Sequence, residues 1–167
     1  FISPDQGASP LYRIPSAGGQ VEPVIKGQSG VRDFDIGSGR LVYALTEVKN
    51  PFELYQAGLK GGDARMLSAF NAEWIKDKKI VFPKENWLEN GQGFKIHYWV
   101  MEPAVRKPGE QYPLALEIHG GPSSMWGPGE FSMWHEFQLL AARGFGVVYC
   151  NPRGSGGYGF DFKKANY

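Results

Sequence analysis

Short apolar runs separated by glycine-rich turns fill the first 70 residues of the chain and predict β-strands. The runs Val31–Ile36 and Leu41–Thr46 flank the turn Gly37-Ser38-Gly39. Two such runs around a short glycine-containing turn are typical of a β-hairpin. The region therefore predicts an antiparallel arrangement of short strands.

A repeat with an offset of 43 residues runs through this strand-rich region: Leu11-Tyr12 recurs as Leu54-Tyr55, and Gly18-Gly19 recurs as Gly61-Gly62. Each Leu-Tyr pair is expected to open a strand, and each Gly-Gly pair to form the turn after it. About four strands in a period of ~40–45 residues are typical of one β-propeller blade, and a complete propeller needs ~4–8 blades. The region is thus predicted to be the terminal blade or blades of a larger ring, with an antiparallel meander as the alternative.

The pattern of apolar positions changes after Asn71. Ile80–Phe82 predicts a short strand, and Phe94–Met101 predicts a longer one because polar and apolar residues alternate along it. Pro103–Gln111 is polar and contains proline and glycine, which predicts a loop.

A strand, a helix and a second strand are predicted to follow this loop. Leu114–Ile118 is an almost continuous apolar run, as expected for a strand covered on both faces. A helix ending at Gly144 separates it from a second apolar strand, Gly146–Cys150. This order predicts a βαβ unit with a parallel sheet. The apolar face of the predicted helix consists of Met133, Trp134, Phe137, Leu140 and Ala141.

Glycine-rich turns follow both predicted parallel strands, at the strand ends where open α/β sheets bind ligands. The first turn is His119-Gly120-Gly121-Pro122. Glycines let backbone N–H groups approach a developing negative charge, and an HGG-type turn supplies one oxyanion-hole donor in α/β-hydrolases. The same pattern also requires a nucleophilic serine in a G-x-S-x-G turn, and these 167 residues contain no such motif.

The second turn, Asn151–Gly159, contains a G-x-G-x-x-G motif formed by Gly154, Gly156 and Gly159. In a dinucleotide-binding protein such a motif holds a pyrophosphate at a helix N-terminus. Residues including Pro152 separate the predicted strand from the first glycine, whereas that motif requires a tight turn. Nucleotide binding is therefore a minor alternative.

Taken together, the turns at 119–122 and 151–159 resemble the prolyl oligopeptidase family of serine peptidases, in its acylaminoacyl-peptidase and dipeptidyl-peptidase-like branch. In that family a β-propeller precedes a C-terminal α/β-hydrolase domain. The resemblance implies that residues 1–72 are the C-terminal part of the propeller. It also implies that residues 73–167 form the N-terminal part of the catalytic domain, truncated before the nucleophile. The predicted fold class is a partial α/β-hydrolase preceded by the terminal propeller blade or blades.

The resemblance also implies roles for individual residues. The backbone N–H of Gly121, together with that of Gly120, would bind the oxyanion, and His119 would hold the turn. Arg153 and Tyr158 are candidate substrate-binding residues. The serine, acid and base of the catalytic triad would lie outside this chain. The whole enzyme would hydrolyse short peptides through an acyl-enzyme, and the 167-residue chain alone would be inactive.

Composition narrows the expected partners. A net charge of +1, without a Lys/Arg cluster larger than a pair, predicts no nucleic-acid binding, and no apolar stretch reaches the ~20 residues of a membrane span. The three histidines and the single cysteine, Cys150, lack metal-ligand spacing, so neither a metal nor another cofactor is expected. The chain begins at Phe1 without a methionine, so its native N-terminus is expected upstream. Cytoplasmic and periplasmic or secreted locations both stay open.

Two further alternatives are open for the function. The chain could be a non-catalytic piece that acts only in binding or assembly, because unpaired strand edges favour association. It could also belong to an esterase or lipase of the same fold. The expected partners are a peptide substrate, the remainder of the hydrolase domain and propeller, and a second copy in a homo-oligomer.

Overall fold

Two four-stranded sheets and a two-stranded ribbon organise the chain in the computed structural model, which describes residues 1–121, 123–130 and 132–165. Within these ranges no helix is long and apolar enough to cross a membrane. The strands are β1 (Leu11–Arg13), β2 (Glu22–Ile25), β3 (Gly30–Gly37), β4 (Arg40–Glu47), β5 (Asn50–Gly58), β6 (Arg65–Met66), β7 (Lys84–Glu89), β8 (Lys95–Met101), β9 (Leu114–Glu117) and β10 (Gly146–Asn151). The helical segments are α1 (Ala72–Ile75), a π-helical turn (Met133–Phe137) continued by α2 (Gln138–Ala142), and α3 (Phe160–Lys164).

The N-terminal sheet is an antiparallel meander in the order β3-β4-β5-β6, and β1 pairs with β2 beside it. The predicted hairpin is confirmed: Ser38 and Gly39 join β3 to β4, both with positive φ, at 49° and 72°. A two-residue turn of this kind matches the twist of the strands that it joins. The apolar core of this half consists of Leu11, Ile25, Val31, Leu41, Tyr43, Leu45 and Ala57.

The sequence repeat has a structural counterpart in two matching turns. Gly18 N–H donates to the Pro15 carbonyl at 2.9 Å, and Gly61 N–H donates to the Gly58 carbonyl at 2.8 Å. Both glycines have φ of +84°, a conformation that L-residues rarely adopt. The first glycine of each Gly-Gly pair therefore has the same φ and the same type of turn hydrogen bond, after β1 in one case and after β5 in the other.

The expectation for the Leu-Tyr pairs holds at only one of the two positions. Leu11-Tyr12 opens β1, whereas Leu54-Tyr55 lies in the interior of β5. The difference arises because β5 extends N-terminally of Leu54 to pair along β4, as in the partners Leu45 and Glu53. The sequence repeat is therefore matched in the structure at the Gly-Gly turns and not at the Leu-Tyr pairs.

The second sheet has the order β7-β8-β10-β9 and contains the predicted βαβ unit. β9 and β10 are parallel neighbours, whereas β8 runs antiparallel to β10. The predicted helical face is confirmed, and Gly144 ends the helix with φ of +91°. Phe137 stacks on Tyr149 at 4.3 Å between ring centroids, and Tyr149 stacks on Trp99 at 5.2 Å. Full burial of each such side chain contributes roughly 1.5–3 kcal/mol.

The expectation that the strand at 114–118 is covered on both faces is wrong. Leu114, Leu116 and Ile118 are 63%, 59% and 72% exposed. β9 has a neighbour on one side only, so it forms an edge of the sheet within the described residues. β10, by contrast, is an interior strand with β8 and β9 on its two sides.

The predicted strand at Ile80–Phe82 does not form. The backbone of Val81 is bonded instead by the side-chain amide of Gln138, which accepts from Val81 N–H at 3.1 Å and donates to its carbonyl at 2.8 Å. The edge strand that does form here is β7, which the sequence pattern did not indicate. It carries charged residues and is largely exposed, so no apolar alternation marks it.

Glycine residues allow backbone-to-backbone contact between the two halves of the chain. A Cβ on Gly127 would lie 1.9 Å from the carbonyl oxygen of Gly7, and a Cβ on Gly30 would lie 2.1 Å from that of Gly129. Neither position can hold a larger residue without displacing backbone. The start of β3 and the N-terminal segment therefore fix the loop at 127–129.

Replacing Gly30 with alanine should destabilise the chain, because the added methyl group overlaps the Gly129 carbonyl. Overpacking of this kind costs typically ~1–3 kcal/mol. Gly37→Ala at the other end of β3 is the matched control, since its Cβ would meet no atom within 4 Å. Thermal unfolding followed by circular dichroism measures both. Equal melting temperatures for the two variants would contradict the tight contact.

A buried carboxylate anchors the segment that leads from the N-terminal sheet into α1. Glu53 on β5 is 2% exposed and accepts hydrogen bonds from the Ser68 hydroxyl, from Phe70 N–H at 3.1 Å and from Asn71 N–H at 2.8 Å. Burial by itself raises the pKa of Glu53, but these hydrogen bonds outweigh it and the pKa is lowered. The charged form is therefore the one that the fold stabilises.

The lowered pKa of Glu53 predicts a pH-dependent contribution to stability. It should be fully present above the unfolded-state pKa of ~4.3 and lost as pH falls through the lower folded-state pKa. Glu53→Gln should cost about 1–3 kcal/mol at pH 7 and flatten the dependence of stability on pH in acid. Glu89→Gln, on an exposed side chain, is the control. Urea unfolding between pH 3 and pH 7 tests this, and an unchanged acid dependence in Glu53→Gln would count against it.

Candidate active site

The two glycine-rich turns meet at the carboxyl ends of the parallel strands β9 and β10. The His119 Nε2 lies 2.9 Å from the Asn151 Oδ1 and 3.5 Å from the Ser155 Oγ. The sheet brings these residues together across more than 30 positions of sequence, because parallel neighbours end at the same sheet edge. The meeting of the two turns agrees with their placement from the sequence.

Asn151 is fully buried, and its side-chain amide has one orientation. Its Oδ1 accepts from Trp126 N–H at 2.8 Å, and its Nδ2 donates to the Trp126 carbonyl at 2.7 Å. Because a backbone N–H only donates and a carbonyl only accepts, Trp126 fixes which end of the amide is oxygen. It follows that His119 Nε2 donates to Asn151 and that Asn151 Nδ2 donates to the Tyr158 hydroxyl, at 2.8 Å.

The network continues from Tyr158 to β8 and β7. The Tyr158 hydroxyl accepts from Asn151, so its own proton is directed to His97 Nδ1 at 2.9 Å. His97 is fully buried and stacks on Trp87 at 3.9 Å between ring centroids. Its Nε2 lies 2.9 Å from a Glu85 carboxylate oxygen, off the N–H direction, so the contact is electrostatic in character.

Burial sets the protonation of this inner part of the network. It lowers the pKa of His97, against the opposing effect of the Glu85 carboxylate. It also raises the pKa of Tyr158. The neutral imidazole and the neutral phenol are therefore the favoured forms, which is what a hydroxyl donating to a ring nitrogen requires.

Gly120 and Gly121 present backbone N–H groups at the surface. Both residues are exposed, and within the described parts of the chain neither N–H has a hydrogen-bond acceptor. Gly121 has φ of +145°, and a Cβ there would lie 2.4 Å from the Ser124 Oγ, so glycine is required. Unpaired N–H groups on a fixed turn can bind a negatively charged oxygen.

The second glycine-rich turn uses its N–H groups internally. Gly154 N–H donates to the Phe162 carbonyl at 2.9 Å, and Gly156 N–H donates to the Ser124 carbonyl at 3.2 Å. These donors are therefore not free for a phosphate group. The G-x-G-x-x-G motif here closes a loop against α3 and the 123–130 segment, which argues against nucleotide binding.

The other predicted site residues have structural contacts. Exposed Arg153 donates from Nη1 to the Gln92 Oε1 at 3.1 Å. The hydroxyl of Tyr158 is hydrogen-bonded within the network, so a contact with a substrate would have to be made by its ring. Ser155 is 2% exposed and donates from Oγ to the Pro152 carbonyl at 2.7 Å, which is not the setting of a nucleophile. Pro122 lies outside the described residues.

Sequence reasoning missed Asn151, His97 and Glu85 as parts of the site. The available signal was a polar residue that directly ends an apolar strand, as Asn151 does for β10. For His97 the signal was its place in a strand of alternating polar and apolar residues, at a position that faces the protein interior. Neither signal identifies the partner, because the contacts of Asn151 with Trp126 and of His97 with Tyr158 cross 25 and 61 positions of sequence.

Known proteins that are similar to this chain in sequence or in fold are named as peptidases. The family model described as the prolyl oligopeptidase family matches residues 130–167. The chain is 37% identical over 166 residues to the uncharacterized peptidase YuxL of Bacillus subtilis, covering 98% of the chain and 24% of that protein. It is 33% identical over 161 residues to dipeptidyl-peptidase 5 of Trichophyton schoenleinii, covering 93% of the chain and 22% of that protein.

A solved structure shares the fold as well as the sequence. The acylaminoacyl peptidase of Pyrococcus horikoshii aligns with a TM-score of 0.83 and 32% identity, over 98% of this chain and 25% of that one. The chain spans about a quarter of the length of the relatives that it matches.

Replacing Asn151 with aspartate should destabilise the chain by about 2–4 kcal/mol. The carboxylate cannot donate to the Trp126 carbonyl or to the Tyr158 hydroxyl, and it would be a buried charge. Asn86→Asp on β7 makes the same chemical change at a bond that is exposed, to the Lys84 carbonyl. Urea unfolding compares the two variants. A loss no larger in Asn151→Asp than in the control would show that the network does not hold the turns together.

Proposed function

The chain belongs to the prolyl oligopeptidase family of serine peptidases, and we propose that its His119-Gly120-Gly121 turn supplies one half of an oxyanion hole. The protein containing it would hydrolyse short peptides, of the acylaminoacyl- or dipeptidyl-peptidase type. The observation that carries the proposal is the pair of exposed N–H groups that have no acceptor among residues 1–121, 123–130 and 132–165, on a turn tied to a buried network.

The chemistry assigned to this turn is electrostatic. When a serine hydroxyl attacks the scissile carbonyl, its oxygen gains negative charge, and the Gly121 N–H, with that of Gly120, would donate to it. Removal of one such donor typically lowers the rate ~10²–10³-fold. The serine would transfer its proton to a base, form the acyl-enzyme and release the amine, after which water would cleave the ester. Serine, acid and base would be supplied by residues outside this chain, which contains no G-x-S-x-G sequence.

The proposed domain boundary lies near residue 72. Residues 1–72 would be the C-terminal part of a β-propeller, and residues 73–167 would open an α/β-hydrolase domain. The matching conformations of Gly18 and Gly61 support the first assignment, since they give the turns after β1 and after β5 a shared feature at the spacing of the sequence repeat. The parallel βαβ unit supports the second.

An assembly role for the 167-residue chain is the second candidate. The observation that favours it is the edge strand β9, with Leu114, Leu116 and Ile118 exposed. An apolar edge strand with unpaired backbone groups promotes association. This role is compatible with a peptidase function of the longer protein, in which further parts of the chain would cover this strand.

A fluorophosphonate probe, which reacts with activated serines, tests the proposed function. We expect it to label the full-length gene product, which should also hydrolyse acylaminoacyl or dipeptidyl chromogenic substrates. The isolated chain should show neither activity. Absence of labelling and hydrolysis in the full-length protein would refute the peptidase assignment. Labelling of the isolated chain at Ser123, Ser124 or Ser155 would refute the claim that it holds no nucleophile.

A further inference from the structure

We propose that a tight turn in the N-terminal half of the chain, Asp5–Ala8, is a positioning element that holds both loops of the candidate active site in place. This inference rests on the proposed function and gives the N-terminal half a part in the chemistry. The turn bonds the loop after β9 at Met125 and the loop after β10 at Gly157. These are the loops that carry the two glycine-rich turns.

The Asp5–Ala8 turn has a fixed shape. The backbone groups of Asp5 and Ala8 exchange two hydrogen bonds, each of 2.9 Å. The two central residues, Gln6 and Gly7, have positive φ of 46° and 87°, as in the turns that join tight hairpins. A non-glycine residue such as Gln6 rarely adopts positive φ, so the surrounding contacts hold it there. The turn therefore presents its backbone donors in defined directions.

Consecutive N–H groups at the tip of the turn bond one loop each. Gln6 N–H donates to the Gly157 carbonyl at 3.1 Å, and Gly7 N–H donates to the Met125 Sδ at 3.2 Å. Gly7 is buried, and a Cβ on it would lie 2.6 Å from two ring atoms of Trp99. The tip is thus seated against the core of the second sheet with no space for a larger residue.

Each bonded residue lies next to a partner of the Asn151 amide. Met125 precedes Trp126, whose backbone groups fix that amide, and Gly157 precedes Tyr158, whose hydroxyl accepts from it. A shift of either loop would therefore move the Asn151 amide and its bond to the first glycine-rich turn.

The placement of the two loops matters for the proposed chemistry. Neither Met125 nor Gly157 belongs to a helix or strand, so contacts such as these set their positions. An oxyanion hole works through donors that are aligned before charge develops, and a displacement of ~1 Å can lower the rate ~10²-fold. The Asp5–Ala8 turn would therefore affect the chemical step through the alignment of the loops, without touching the substrate.

The first test is Gly7→Ala in the full-length protein. We expect kcat on a chromogenic peptide to fall about 10- to 100-fold with KM changed less than about 3-fold, because the methyl group meets Trp99 and displaces the turn from both loops. Gly18→Ala is the matched control, since Gly18 has φ of +84° and its Cβ would meet no atom within 4 Å. It should keep the wild-type kcat.

Two outcomes of this test have different meanings. A Gly7→Ala variant that folds and keeps the wild-type kcat, or one that loses no more than Gly18→Ala, would overturn the inference. An inactive wild-type protein would instead refute the proposed function.

A second test removes one hydrogen bond without adding volume and does not depend on turnover. Met125→Leu keeps the size of the side chain but removes the sulfur that accepts from Gly7 N–H. In the full-length protein, amide exchange followed by mass spectrometry should become at least about 3-fold faster in peptides covering 123–130 and 151–158. Met101→Leu, at a fully buried methionine on β8, is the control and should leave these peptides unchanged. Faster exchange confined to residues 1–10 would contradict the positioning role.

Discussion

The side-chain amide of Asn151 is the interaction on which the arrangement of this site depends. It is buried at the end of β10 and exchanges hydrogen bonds with Trp126, His119 and Tyr158. His119 and Trp126 lie on the loop after β9 and Tyr158 lies on the loop after β10, so one side chain sets the distance between the two loops. A buried amide left unpaired costs roughly 1–3 kcal/mol per group, which gives the arrangement a single strongly favoured geometry.

The glycine contacts explain how the N-terminal sheet reaches this network. Trp126 precedes Gly127, whose backbone touches that of Gly7, and Gly129 touches the start of β3 at Gly30. The loop that fixes the Asn151 amide is thus pressed against residues from the other half of the chain. Because backbone contacts of this closeness tolerate little movement, both halves of the chain support the loop that carries Trp126.

The elements that could be predicted from the sequence are those in which burial imposes a periodic pattern of apolar residues. The βαβ unit followed from two apolar runs around a helical spacing that includes Met133 and Phe137, and Gly144 marked the helix end. The strand predicted at Ile80–Phe82 does not form because the side-chain amide of Gln138, 57 positions away, hydrogen-bonds both backbone groups of Val81. β7 escaped notice because an exposed strand needs no apolar alternation.

The candidate site divides in the same way. Gly121 was identifiable because its φ of +145° and its approach to Ser124 require glycine, and a glycine pair after an apolar strand is visible in the sequence. Asn151 was not identifiable, since a polar residue after an apolar strand looks the same whether it is buried or solvated. The division has a physical basis: a residue that a tight turn requires is restricted by local geometry, whereas a buried polar residue is restricted by distant partners. A turn that contains two glycines must take its rigidity from such distant partners, and here the buried Asn151 amide reaches the turn through the His119 ring.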